Sequence, residues 1–341
     1  MAPNVPNQQQ TQTTADDERE VDSEALLHVS TAYCNFDKKD VLETVYPPPV
    51  SAEKLIEIRS VSTGREDGVH DCFLAPSCLY GHPNTYTLTK NVAETLLLEE
   101  RGDIPVAIVR PSIVTASVKE PLPGWIDNYN GCTGIIVALG AGLLQSLFVD
   151  KGCVGDVVPV DYVANMIICV AWKTAQTRPK DVGVYHCTSG ALKHATWGHL
   201  IDEMLRATRR YPLPNVIRFP EFHLTDSHLW HDINLWCLHY VPARIVDTAL
   251  QLCSQKPRFV RYYQKARKAT DPVRKFMTRE WLFRPNNALR LQEELSPRDA
   301  QLFDFNVQHI EWSSYVDAYV LGIRKYLLKL KIPNYQKLGN I

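Results

Sequence analysis

Tyr86 and Lys90 stand four residues apart in the segment PNTYTLTK. On a helix that spacing places both side chains on one face, a single turn apart. A tyrosine by itself is a poor acid–base group at neutral pH, because its ordinary pKa is about 10. An ammonium one turn away favours the phenolate and draws that value down, which suits proton delivery to a carbonyl oxygen as hydride reaches its carbon. With 15 tyrosines and 17 lysines, roughly one such pair arises by chance. Tyr86 is the only tyrosine that has one, so its surroundings must decide.

Those surroundings alternate strand-like and helical segments. Leu26–Ala32, Val106–Ser112 and Val184–Thr188 are short apolar runs of strand length, and residues 87–100 and 163–173 carry helical periodicity. Strand, helix, strand, helix predicts an α/β fold with a parallel sheet. Ser30 and Thr31 then fall at the end of the first strand, where such a sheet presents polar groups to a ligand. Arg110, Pro111 and Ser112 fall at the end of the next.

A hydroxyl after one strand, Y-x-x-x-K on the following helix and R-P-S after the strand beyond it together resemble the extended short-chain dehydrogenase/reductase superfamily. The likeness narrows further. HVSTAYCN, HPNTYTLTK, VRPSIV, PGWIDNYNG and VVPVDYVANMII follow one another as in the alcohol-forming fatty acyl-CoA reductases. FMTREWLF, LSPRDAQLFDFNV and IEWSSYVDAYVLGIRKY resemble the helical C-terminal domain of that family. The resemblance runs from about residue 25 to 335.

It implies a partial Rossmann-like domain over residues 25–240 and a small helical domain over 241–335. The implied activity is two hydride transfers from NADPH that take a long-chain acyl-CoA through an aldehyde to a primary alcohol, a step in lipid biosynthesis. On these positions Tyr86 is the general acid, and Lys90 lowers its pKa and holds the nicotinamide ribose. Thr31 binds the carbonyl oxygen, with Ser30 as the alternative if the strand end slips by one residue. Arg110, Pro111 and Ser112 are expected on the cofactor side. The implied partners are acyl-CoA and, peripherally, a peroxisomal or endoplasmic reticulum membrane.

One part of the family pattern is missing. A glycine-rich turn after the first strand normally lets backbone N–H groups meet the pyrophosphate. Here the first glycine is Gly64, and NGCTGIIVALGAG lacks the G-x-G-x-x-G spacing because position 145 is Gln145. The nucleotide-binding half is therefore expected to be absent from this chain, which puts its own turnover in doubt. Two alternatives remain, a non-catalytic acyl-CoA or lipid-binding paralogue and another extended short-chain reductase.

Composition narrows the rest. The 341 residues carry 37 basic and 38 acidic side chains, a balance that argues against nucleic acid as a partner. The nine cysteines form no C-x-x-C pair, and no apolar core precedes residue 25, so a reducing, cytosol-facing location is expected. Residues 1–24 hold six acids against one base and read as a disordered acidic tail. Lys256 to Lys337 holds 17 bases against 8 acids, either solvated helix faces or a surface for anionic headgroups or a polyphosphate ligand. Thr133–Val149, uncharged but short for a span, reads as a buried strand–turn–helix. His223, His228, His231 and His239 read as surface or capping residues and not as metal ligands. Trp312, Tyr315, Tyr319, Ile323, Tyr326 and Leu330 mark one face of a long helix. Without a hydrophobic C-terminal tail, any membrane attachment is expected to be peripheral or through the helical domain.

Overall fold

The computed structural model describes residues 25–63, 79–214, 216–270 and 273–330. The acidic opening segment and the last residues of the expected helical domain lie outside them. Three parallel strands form the central sheet in the order β1 (Leu26–Val29), β3 (Val106–Pro111), β7 (Gly183–Cys187). The middle strand, VAIVRP, is buried at every position, as a strand covered on both faces must be. Parallel two-stranded pairs extend the fold: β4 (Ile113–Thr115) with β6 (Val157–Pro159), and β5 (Ser146–Phe148) with β8 (His223–Thr225). The α/β reading is borne out.

Helix α2 (Thr85–Glu100) follows α1 (Ala52–Thr63) and connects β1 to β3. Asn84 caps it, its side chain accepting from the Thr87 N–H at 3.0 Å. Helix α4 (Val160–Thr177) lies against the sheet, and α5 (Trp197–Arg210) packs on α12 (Trp312–Gly322). The Thr133–Val149 segment is buried but runs in the opposite order, as helix α3 (Cys132–Gly140), turn, then β5. Its apolar run has no periodicity that separates strand from buried helix, so the order was not legible. Among the described residues no helix is long and apolar enough to cross a membrane.

The expected boundary near residue 240 falls inside one helical run. Helix α6 (His228–Asn234) passes through a π-helical stretch (Leu235–Tyr240) into α7 (Val241–Leu252). Beyond it, β9 (Leu282–Phe283) pairs in parallel with β2 (Asp40–Val41), and α10 (Asn286–Glu294) packs on β7. One apolar core runs from Ala107 and Val109 in the sheet to Val316 and Ile323 near the C-terminus. The C-terminal segment is thus packed into the α/β body.

Ser296 caps α11 (Pro297–Leu302), with its hydroxyl accepting from the Asp299 N–H. Trp312, Tyr315, Tyr319 and Ile323 are buried, as their spacing predicts, although the α-helix gives way to a π turn after Gly322. Two of their hydroxyls cross to the α/β body. Tyr315 donates to the Ala116 carbonyl at 2.6 Å, and Tyr319 lies 2.6 Å from Thr133 Oγ1. Gly124 is where the backbones meet: at φ +74°, a Cβ there would sit 2.0 Å from the Ala318 carbonyl oxygen.

Candidate active site

The β1 strand ends where its chain turns into a short 3-10 helix, Ala32–Asn35, and Thr31 caps that turn by accepting from the Tyr33 N–H at 3.3 Å. This fixes the Thr31 side chain at the sheet's C-terminal edge, where open α/β sheets bind ligands. Across from it, Tyr86 projects from the first turn of α2 and is 53% exposed. Thr31, Tyr86 and Ser112 line one cleft of about 270 Å³, whose other walls include Ile135, Trp197, Phe276 and Met277. Three of the sequence-predicted positions therefore converge, and Ser30 is not among the lining residues.

Lys90 lies one turn behind Tyr86 and donates from Nζ to the Val29 carbonyl at 2.7 Å. That bond ties α2 to the last residue of β1, and Lys90 is not among the residues that line the cleft. Its charge is felt by His28, whose pKa is lowered first by burial and then by Lys90. An ammonium has three donors, so one bond to a carbonyl does not exhaust it.

Arg110 and Pro111 do not reach the cleft. Pro111 is buried in the sheet opposite Cys187. Arg110 is 0% exposed and grips Glu94 through two bonds, Nε to Oε1 at 2.8 Å and Nη2 to Oε2 at 2.5 Å. Its remaining donors go to the Leu42 and Thr44 carbonyls and to His186 Nε2. The expected cofactor contact of Arg110 is thus replaced by an internal ion pair, because a guanidinium inside an otherwise apolar strand must be fully paired.

Glu94 is the residue that sequence reasoning missed. It lies one turn past Lys90 and two past Tyr86, so the ion pair clamps the Tyr86–Lys90 face of α2 to β3. Its carboxylate also accepts the Cys34 thiol, whose pKa is pushed up by burial. On the far side His186 passes the contact to the C-terminal segment. Its Nδ1–H donates to the Arg284 carbonyl, leaving Nε2 to accept from Arg110. Burial and the neighbouring Arg110 charge push the imidazole pKa down to about 3, so it is neutral at physiological pH. Below it Glu43 accepts the backbone N–H groups of His186, Asn287 and Ala288.

Among the described residues no group of three histidine, cysteine or carboxylate side chains is placed to hold a metal ion. For a nicotinamide cofactor the fit is partial. Lys90 and Tyr86 suit the ribose and the reacting end, whereas the sequence has no G-x-G-x-x-G turn for a pyrophosphate.

A parallel sheet with a hydroxyl, a Tyr-x-x-x-Lys helix and a cleft at the strand ends defines a reductase-type, Rossmann-like α/β protein. Residues 1–167 match the NAD-binding profile, and residues 238–330 the "sterile" profile, of the family described as male sterility protein. Fatty acyl-CoA reductase 1 of Xenopus laevis is 37% identical over 305 residues, covering 89% of this chain and 58% of that protein. Fatty acyl-CoA reductase 2 of Mus musculus is 38% identical over 310 residues, covering 90% and 59%. Among solved structures, the terminal R domain from the myxalamid PKS-NRPS biosynthetic pathway overlaps with a TM-score of 0.49 at 15% identity, covering 91% of this chain and 60% of that one. The chain belongs to the fatty acyl-CoA reductase family, and it spans somewhat under three fifths of the length of these two relatives. The second profile begins at residue 238, and the described residues on both sides of it share one apolar core.

Proposed function

We propose that this protein works on long-chain fatty acyl-CoA, with NADPH as reductant, to give the fatty alcohol through an aldehyde. The observation that carries this reading is the convergence of Thr31, Tyr86 and Ser112 on one largely apolar cleft, with Lys90 one turn behind. The cofactor, when bound, supplies hydride to the carbonyl carbon in each of the two reductions. Thr31 and Tyr86 hydrogen-bond the carbonyl oxygen and so stabilise the charge that grows on it. In the first reduction the C–S bond breaks, CoA leaves as the thiolate and takes a proton from solvent, and the thioester becomes an aldehyde. In the second, Tyr86 gives its phenolic proton to the alkoxide, and Lys90 stabilises the phenolate left behind. Ile135, Trp197, Phe276 and Met277 exclude water and accept the first methylenes of the acyl chain.

The reading includes a cytosol-facing site on a peroxisomal or endoplasmic reticulum membrane, attached peripherally, since substrate and product are both lipids. The largely apolar lining of the cleft also fits a second reading, acyl-CoA binding without turnover. Calorimetric titration with NADPH separates the two. Micromolar binding, with palmitoyl-CoA converted to hexadecanol and that conversion abolished in Tyr86→Phe, supports the reductase. Acyl-CoA binding with none for NADPH at millimolar concentration leaves the second reading.

A further inference from the structure

Helix α6, the π stretch and α7 form one continuous run from His228 to Leu252, and its two sides differ sharply. The inner side faces the protein body. His239, Ala243 and Asp247, at helical spacing, are buried, and His239 Nε2 accepts from the Gln145 N–H at 2.9 Å. The outer side carries Leu229, Trp230, Ile233, Trp236, Ile245 and Leu252, all exposed, with both tryptophans at 61% and Leu252 at 84%. No residue of α6 is buried at all. Bulky apolar side chains concentrated on one helix need an occupant, since isolated exposed leucines are ordinary but a continuous strip is not.

Charge identifies the occupant. Between residues 241 and 270 the sequence has seven Lys/Arg and a single acid, Asp247. That acid is spent internally: its carboxylate accepts the N–H groups of Arg258, Phe259 and Val260 at 2.8 to 3.0 Å and so caps helix α8 (Phe259–Thr270). The cap fixes the α7–α8 turn and leaves Arg244, Lys256, Arg258 and Arg261 exposed around the apolar strip. Tryptophans and aliphatics on a helix, with exposed bases outnumbering the single exposed acid Asp232, are what an interfacial helix presents to an anionic bilayer. A self-association face would require acids to meet those bases, and the described residues from 228 to 270 expose only Asp232 against Arg244, Lys256, Arg258 and Arg261.

We propose that the outer face of the His228–Leu252 run, with the basic α7–α8 turn, docks this protein in the plane of an anionic membrane surface. The chain after α8 returns directly to the site, where Val273, Phe276 and Met277 line the cleft. A docked protein therefore holds the cleft's apolar wall close to the lipid from which an acyl chain arrives. The assignment deepens the acyl-CoA reading in its purpose only, because docking is scored without substrate or cofactor and stands or falls apart from catalysis.

The test is flotation of the full chain with vesicles of phosphatidylcholine alone or mixed with phosphatidylserine. Wild type is expected to float with the anionic vesicles, less with neutral ones, and less as salt rises. Trp230→Ser/Trp236→Ser/Ile245→Ser/Leu252→Ser should weaken partitioning by roughly a hundredfold, with circular dichroism and melting unchanged because all four residues are exposed. Lys256→Gln/Arg258→Gln/Arg261→Gln should erase the preference for anionic lipid, and Leu302→Ser, exposed on α11, should change nothing. Independently of any folding defect, brominated lipid should quench tryptophan emission in wild type and much less in Trp230→Phe/Trp236→Phe. The proposal is overturned if wild type stays in the buffer with both vesicles, if the quadruple variant floats as well as wild type, or if light scattering shows a dimer that these four residues hold together.

Discussion

Replacing Glu94 by glutamine tests whether the clamp under helix α2 is what holds it. The change keeps the shape of the side chain but leaves Arg110 as a cation without its anion, at a position with no solvent exposure. Breaking a buried pair by removing one partner costs about 3–5 kcal/mol. The Leu42 and Thr44 carbonyls still accept from the guanidinium, which places the expected loss toward the lower end. Against a typical total stability of about 5–15 kcal/mol, that is a large fraction. In a chain this size it corresponds to a melting temperature lower by roughly 5 °C. Glu94→Met/Arg110→Met removes both charges and should recover most of the loss, because a buried ion pair is often no more stabilising than well-packed apolar residues. Urea titrations of wild type, Glu94→Met, Arg110→Met and the double variant give the coupling energy directly. If Glu94→Gln shifts stability by less than about 0.5 kcal/mol, as an ordinary surface change does, the clamp argument fails. It fails equally if the double variant is no more stable than either single one.

Acid should destabilise the fold through its buried imidazoles. His186 and His239 have pKa values pushed down, to about 3 and about 4 from an ordinary 6.5, chiefly by burial. The unfolded chain therefore binds more protons than the folded one below pH 6.5, and stability present above that pH is lost as pH falls toward the folded values. The limiting slope is about 1.4 kcal/mol per pH unit for each histidine, so a pH-independent urea midpoint between pH 6.5 and 4 would refute the argument. Gly124→Ala should destabilise by at least about 1–3 kcal/mol, because the new methyl meets the Ala318 carbonyl at a left-handed backbone position; an unchanged thermal melt would show that loop and α12 are not in register. Thr31→Val should leave NADPH affinity intact while lowering turnover by roughly 10²–10³-fold, the usual cost of one oxyanion donor. Equal activity in Thr31→Val and a large loss in Ser30→Ala would move that role to Ser30.

Much of this molecule was legible from local pattern. The strands at residues 26, 106 and 184, the helices that carry Tyr86 and Met166, the Ser296 cap and the buried aromatic stripe from Trp312 to Ile323 each follow from periodicity or capping within a dozen residues. The Tyr86–Lys90 pair belongs with them, since i to i+4 spacing is a property of one helix. The family, too, was legible, because ordered motifs survive where overall identity is below two fifths.

What the sequence by itself could not decide is how distant segments meet. Arg110 read as a cofactor contact because it follows a strand; only the packed fold shows Glu94, 16 residues earlier on α2, closing over it. The cleft walls at Cys132, Trp197 and Phe276 come from three separate stretches whose apolar residues look like any other core. The C-terminal segment read as a separate domain because its pattern turns helical. It is joined to the body by the β2–β9 pairing, by the Tyr315 and Tyr319 hydroxyls and by the Gly124–Ala318 approach. Spacing along the chain sets the face of a helix or strand, and that much is local. Which faces become interior is set by long-range burial and the pairing of polar groups within it, and no single segment carries that information.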